Sequence, residues 1–455
     1  MNRPDLTPAE VVAAAIPLPA GAAAEDSLFQ ELDQASIVLI GEASHGTYEF
    51  YQERAAITKR LIAEHGFNFV AVEGDWPDAY RVNRFVKGIG ADRDANEALS
   101  DFQRFPTWMW RNTEVAAFVE WLRDFNEHGG QPRAVFYGLD LYGLYTSIDA
   151  VIKYLEQVDP DLARSARARY SCFDHLEREP HLYGYAVNRA GLDACEDQVV
   201  QQFAEVQRLA ASTRSEAGPD LDDDAFFAEQ NAHLVKNAER YYRAMYRSNV
   251  LSWNVRDRHM AETLDALLLR HQRLIPNPRA VVWAHNSHVG DARATEMARG
   301  GELNIGELTR RRHGESAFSI GFTTYQGTVT AARHWGEPAE QRRVRPALQS
   351  SSKICSIVPI SALSCSTVTT SPWPSASSVR SASSTGRSMS VRVTTSTRSC
   401  TSTRRVRWSR WTSRTSGSRA NRPSHRSCPQ RRCGHERRAR QRDRAFGGVC
   451  WRSPK

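Results

Sequence analysis

Carboxylates and imidazoles stand directly behind apolar runs at four places in this sequence. Ile37-to-Ile40 leads into Gly41-Glu42-Ala43-Ser44-His45-Gly46, and Asn68-to-Val72 leads into Glu73-Gly74-Asp75-Trp76. The run ending at Leu139 leads into Asp140, and Ala280-to-Ala284 leads into His285-Asn286-Ser287-His288. A neutral histidine takes a proton from water near pH 7, and a neighbouring carboxylate fixes its tautomer and raises its basicity. Further imidazoles stabilise the oxyanion that forms as water attacks a carbonyl. The chemistry this set suits is acyl transfer to water without a covalent intermediate.

Two rivals use the same residues. Ser44 stands beside His45 and is a nucleophile by type, but no GxSxG elbow is present. His45, His285 and His288 with Glu42 or Glu73 are ligand types for Zn, Mn or Fe, the signature of a metal- or haem-binding protein. HxxH on a loop is a weak metal signal, and the chain has no HExxH. Taken singly, each residue has a plainer reading: Glu42 as a cap or solvated side chain, His45 as a structural histidine, His285 and His288 as loop residues. Asp75 reads as the cap of a helix beginning near Pro77. The convergence of several such loops is more specific than any one of them.

Those loops need strands to carry them. Ser36-to-Ile40, Asn68-to-Val72, Ala134-to-Leu139, Ala280-to-Ala284 and Ala317-to-Phe322 are continuous apolar runs, the pattern of strands covered on both faces. Tyr48-to-His65, Glu114-to-Asn126 and Thr146-to-Gln157 between them have helical spacing. The alternation predicts an α/β fold with a central, largely parallel sheet layered by helices. Ligands in such sheets bind outside the carboxyl ends of the strands, where these polar residues fall. From about residue 159 to 271 no strand pattern occurs. Glu196-to-Thr213 and Asp224-to-Arg247 read as long helices of an insertion, either a cap over the sheet or a plain helical layer. Trp108, Met109, Trp110, Tyr137, Tyr142 and Tyr145 read as core packing, or as the wall of an apolar cleft for a bulky substrate.

Charge and cysteine divide the chain. The 455 residues carry a net charge of +8, yet residues 351–455 hold 22 Lys and Arg against 2 Asp and Glu, which leaves −12 on the rest. A body this acidic has no electrostatic footprint for nucleic acid. Only Cys172 and Cys195 lie in it, and as two unpaired cysteines they suit a reducing, cytoplasmic setting. The N-terminus lacks the basic start of a secretory signal, and no apolar stretch is long enough for a bilayer.

From Ser351 the sequence is dominated by Ser, Thr and Arg without hydrophobic period, a composition of a disordered or nucleic-acid-binding arm. A slipped reading frame explains it better. Shifted by one base, and with synonymous codons chosen freely, Ser399-to-Arg405 can be reread as LHIDET, the continuation to Thr412 as RAVEPLD, and Ile354-to-Thr367 as DLFHCADFSVVVLD. Ordinary globular sequence thus returns in several stretches under one shift. The expected organisation is a domain over residues 1–348, with its helical insertion at about 159–271, and an out-of-frame tail at 349–455.

At IVLIGEASHGTYEFYQERAAITKRLI, FNFVAVEGDWPDAYRVN, VFYGLDLYGLYTS, SWNVRDRHMAETL, VVWAHNSHVGDA and GFTTYQGTVTAA, the chain resembles the erythromycin esterase family over about residues 30 to 348. The resemblance implies His45 as the catalytic base, with Glu42 as its partner carboxylate. It places Glu73, His285 and His288 at the other active-site positions and Arg54 near them. It also implies that water is activated without a metal or other cofactor, on a small-molecule ester or lactone, with no nucleic-acid or membrane partner. Family members continue after the VRPAL stretch with segments like the reread ones, which agrees with the slipped frame.

Overall fold

Aliphatic runs without polar alternation must bury both faces, and the structure sets five of them side by side. The computed structural model describes residues 28–345 except 130–132, 175, 217–218 and 325, with the backbone of three further short strands, Ala15–Pro17, Ser364–Val368 and Ser388–Arg392. The expected out-of-frame tail lies outside the described residues, apart from the backbone of the last two strands.

The five strands are β1 (Ile37–Ile40), β2 (Phe69–Asp75), β3 (Val135–Asp140), β4 (Ala280–Trp283) and β5 (Ala317–Ile320). They form one sheet in the order β3-β2-β4-β1-β5, and every pairing is parallel. A hairpin of β6 (Gly327–Ala331) and β7 (Glu340–Val344) follows. The strand period of two sorts the side chains into two cores. Ile37, Leu39, Phe69, Ala71, Tyr137 and Val282 join one, while Val38, Ile40, Val70, Val72, Phe136 and Trp283 join the other. Each such fully buried aliphatic or aromatic side chain contributes about 1.5–3 kcal/mol over leaving it in water.

Three helices cover the second face: α1 (Tyr48–His65), α2 (Trp76–Val86) and α3 (Thr113–Glu127). The first face takes α4 (Leu144–Val158), α5 (Pro160–Tyr170), α6 (Pro180–Arg189), α7 (Glu196–Glu216), α8 (Pro219–Met245) and α9 (Asn249–Leu274). Residues of α4, α5, α8 and α9 share one continuous core with the sheet, so these helices are a layer on it. The one-turn helix α10 (Asn286–Val289) and α11 (Ile305–His313) complete the described helices that touch the site.

Three sequence expectations change. Glu73 and Asp75 lie within β2, not after it, because the strand continues past a register shift between Val72 and Asp75. Asp75 holds the N-cap position of α2, but its carboxylate makes no capping bond; it accepts from the Tyr142 amide at 2.9 Å instead. Cys172 and Cys195 are joined in a disulfide, so the argument for a reducing setting from two unpaired cysteines loses its basis. No helix among the described residues is long and apolar enough to cross a membrane.

Candidate active site

The carboxyl ends of the three central strands, β2, β4 and β1, meet at the middle of the sheet. Glu42 and His45 follow β1, Glu73 lies near the end of β2, and His285 and His288 follow β4. The backbone ties the two loops together: the Asn286 amide donates to the Glu42 carbonyl at 2.9 Å, and the Gly41 amide to that of Ile320 at 2.7 Å. Gly41 is required by close approach, since a Cβ there would stand 2.1 Å from Asn286 Oδ1. Gly46 closes the loop with φ +87°, and a Cβ would lie 2.3 Å from the Thr330 carbonyl of β6.

His45 Nδ1 lies 2.8 Å from Glu42 Oε1. The carboxylate is fully buried while the ring is 29% exposed. Since an ionised carboxylate only accepts, Nδ1 carries the proton, and among the described residues Nε2 makes no hydrogen bond. Burial lowers the ring's pKa, but the hydrogen bond and charge of Glu42 outweigh it and the net shift is upward. Behind Glu42, Arg54 Nη2 lies 3.4 Å from Oε2. The Arg54 guanidinium is fully buried between the rings of Tyr51 and Trp283, at 4.6 and 5.2 Å from their centroids.

The His285 ring faces His45, with centroids 5.3 Å apart. Its Nδ1 accepts from the Ser287 amide at 3.2 Å and sits 2.8 Å from Ser287 Oγ, so the neutral ring bears its proton on Nε2. Burial, then the charge on His45, push its pKa down to about 4, which keeps it neutral across the physiological range.

Below this pair lies an ionic layer. Arg256, from α9, donates to Glu73 Oε1 at 2.7 Å and to both oxygens of Asp140, at 3.0 and 2.6 Å. Glu73 Oε2 accepts the His285 amide at 2.8 Å. His288 Nε2 is 3.3 Å from Glu73 Oε1, and its Nδ1 is 2.9 and 3.0 Å from the Asp257 oxygens. Trp253 stacks on that ring at 4.5 Å. Burial lowers the His288 pKa, but Asp257 and Glu73 carry it up to about 9. Arg256 Nη1 donates to Nε2 at 3.0 Å, a bond Nε2 accepts only while it carries no proton, and so opposes that rise. Glu73 is costly to bury charged, yet His288 and Arg256 hold it well below the usual carboxylate range.

Beside the layer, Arg104 lies 3.4 Å from Asp75 and 3.8 Å from the Tyr142 ring centroid, next to a small cavity of about 20 Å³. A larger groove of about 690 Å³ sits by Ser36 and Arg279, at the amino ends of β1 and β4, and contains none of these residues.

The structure therefore brings together Glu42, His45, Glu73, His285 and His288, with Arg54 beneath Glu42. The rival nucleophile Ser44 bonds to Thr47 Oγ1 at 2.8 Å, away from His45. Among the described residues no three His, Cys, Asp or Glu side chains form a group that could hold a metal ion. The aromatic residues and Met109 divide. Met109, Trp110 and Tyr137 are buried in the cores, whereas Trp108 lies against Gly46 and Tyr142 against Arg104 and Arg256. Sequence reasoning missed Arg256, Asp257 and Trp253. Their signal was phase: on a helix whose Val255, Met260, Ala261 and Leu264 face inward, Arg256 and Asp257 share that inward face.

A model of the erythromycin esterase family matches residues 62–355. Among curated proteins, the putative hydrolase YbfO of Bacillus subtilis (strain 168) is 21% identical over 64% of this chain and 65% of its own length. The erythromycin esterase type II of Escherichia coli is 21% identical over 65% of this chain and 70% of its own. Among solved structures, a succinoglycan biosynthesis protein superposes with a TM-score of 0.58 at 19% identity, over 77% of this chain and 83% of that one. A mutant of the erythromycin esterase EreC in its open conformation gives 0.54 at 19% identity, over 73% and 81%.

Proposed function

The chain belongs to the erythromycin esterase family, and from that premise we propose that it hydrolyses a carboxylic ester or lactone, macrolide-like or of another natural product, with water activated by His45. The observation that carries this reading is the His45–Glu42 pair. Its Nδ1 is held by a buried carboxylate at 2.8 Å, and its half-buried Nε2 is left with a lone pair and no protein partner among the described residues. In this reading Nε2 takes a proton from water as the oxygen attacks the acyl carbon. The charge that builds on the carbonyl oxygen meets the neutral Nε2–H of His285. The imidazolium of His45 then returns the proton to the leaving alkoxide. Glu42 orients His45 and stabilises its charged form, Arg54 balances Glu42, and Glu73 and His288 hold the His285 loop.

The test is hydrolysis of erythromycin and of a chromogenic aryl ester in ¹⁸O-labelled water. Direct attack places one labelled oxygen in the acid product, with no burst of alcohol and no acylated protein in the mass spectrum. An acyl-enzyme on Ser44 overturns the mechanism.

The composition change at Ser351 and the end of the family match at residue 355 support a second proposal, that residues 349–455 are translated out of frame. Sequencing the gene across codons 340–360 tests it. A missing or extra base is the expected result, and an intact frame refutes it.

A further inference from the structure

Three aromatic rings run in a row from the loop of His45 out to solvent, and the hydrolytic step uses none of them. We propose that Trp108, Phe105 and Trp335 form the wall that receives the apolar ring portion of the substrate, with Trp335 setting a preference for ring-bearing esters. The inference rests on the hydrolase reading above and deepens it by naming what selects the substrate.

The row starts at the catalytic loop. Trp108 Cδ1 and Nε1 both stand 3.0 Å from the point that a Cβ on Gly46, the residue after His45, would occupy. Phe105 packs edge-on against Trp108 with centroids 5.1 Å apart, and Trp335 lies on Phe105 at 4.8 Å. Trp335 sits between β6 and β7, and that hairpin is tied to the same loop, since the Thr330 amide donates to the Gly46 carbonyl at 3.0 Å. The Trp108 end is anchored too, with Asn112 Nδ2 donating to its carbonyl at 3.0 Å. Segments far apart in sequence thus converge on the His45 loop and set their rings side by side. Trp335 is 66% exposed, more than any other large hydrophobic side chain among the described residues. A lone apolar side chain on a surface is ordinary, but this one extends a half-buried pair that reaches the catalytic loop. Tryptophan and phenylalanine present broad, rigid faces with few torsions to fix, so they pack on another ring at little entropic cost. The wall therefore suits an alicyclic, macrocyclic or aryl portion, and gives a short acyclic ester little to pack against.

The test compares naphthyl acetate with ethyl acetate, which share an acyl group, in the intact chain and in Trp335→Ala. Taking the ratio of kcat/KM between the two esters, and then between the two proteins, cancels the easier departure of naphtholate. That ratio should fall roughly tenfold to a hundredfold, the scale of burying one large apolar side chain. The loss should be read chiefly in KM, since the wall holds substrate and transition state alike. Trp335→Phe, which keeps a ring at the hairpin tip, should recover most of the ratio. Unfolding is followed in parallel, and an unchanged ratio overturns the proposal whether or not the melting temperature moves. Absence of any hydrolysis by the intact chain refutes the hydrolase reading instead. Ligand-observed NMR with naphthyl acetate then decides the wall. Saturation that reaches the naphthyl protons from the intact chain and is lost in Trp335→Ala supports it. Equal saturation from both proteins, or none from either, overturns it.

Discussion

His285 and His288 lie one turn apart at a single short helix, yet they belong to different electrostatic regions. His285, with His45, lines the half-buried rim, where each ring has one nitrogen tied to the protein and one without a partner among the described residues. His288 sits in the buried layer with Glu73, Asp140, Arg256 and Asp257, where every charged group faces an opposite charge at hydrogen-bond distance or nearly so. One ring is pushed down to about 4 and the other up to about 9. The cause is the neighbour: a backbone amide and a second imidazole for His285, two carboxylates for His288. The rim can exchange protons with a substrate, whereas the layer can only hold the rim in place. Changes in the layer should therefore register first in stability, and changes in the rim first in rate.

Glu73→Ala gives the largest expected effect. It leaves Arg256 and His288 buried without a carboxylate they share, and truncating one partner of a buried ion pair costs about 3–5 kcal/mol. Thermal or denaturant unfolding should show this, and a loss under 1 kcal/mol would mean that the layer is hydrated and not the rim's foundation.

Glu42→Gln acts on the rim. Turnover should fall roughly a hundredfold, and the melting temperature should fall as well, because the buried Arg54 loses its counter-charge. The pH profile sharpens the test, because His45 works as a base only when neutral. Its pKa is raised, so kcat/KM should climb through a limb above the ordinary 6.5 in the intact protein. Loss of the Glu42 charge should move that limb to lower pH. A limb that stays where it was separates His45 from the rate.

Gly46→Ala is expected to cost about 2 kcal/mol, from the left-handed backbone and the crowding against Thr330, and to slow turnover by displacing His45. Both are read from one preparation by melting and kinetics, and an unchanged rate would show that the loop tolerates the shift. Ser287→Ala should have the smallest effect. The amide that sets the His285 tautomer remains, and only the hydroxyl contact goes, worth about 1 kcal/mol or roughly a fivefold change in kcat.

The strands were legible because doubly covered strands are written as unbroken apolar runs, and Ile37-to-Ile40 or Ala280-to-Trp283 can be read almost to the residue. The rim and His288 were legible for the same reason: Glu42, His45, His285 and His288 stand just where those runs stop. Glu73 was found as a residue but misplaced as a loop, since a register shift that lengthens β2 leaves no mark on composition. Arg256 and Asp257 were hidden by the ordinary expectation that charges on a long helix face water. Only their phase against Met260, Ala261 and Leu264 gives them away. Cys172 and Cys195 are 23 residues apart with a helix between them, a spacing that points to no pairing until the layer is folded.

The central claim is that His45 moves the proton, and His45→Ala tests it most directly. The full-length chain and the variant are compared for hydrolysis of erythromycin and of an aryl ester, with unfolding followed in parallel. The account predicts that kcat falls by about 10²–10⁴ while the melting temperature stays within a few degrees, because the ring is partly exposed and outside the ionic layer. Turnover retained within a few-fold by a folded His45→Ala protein would contradict it.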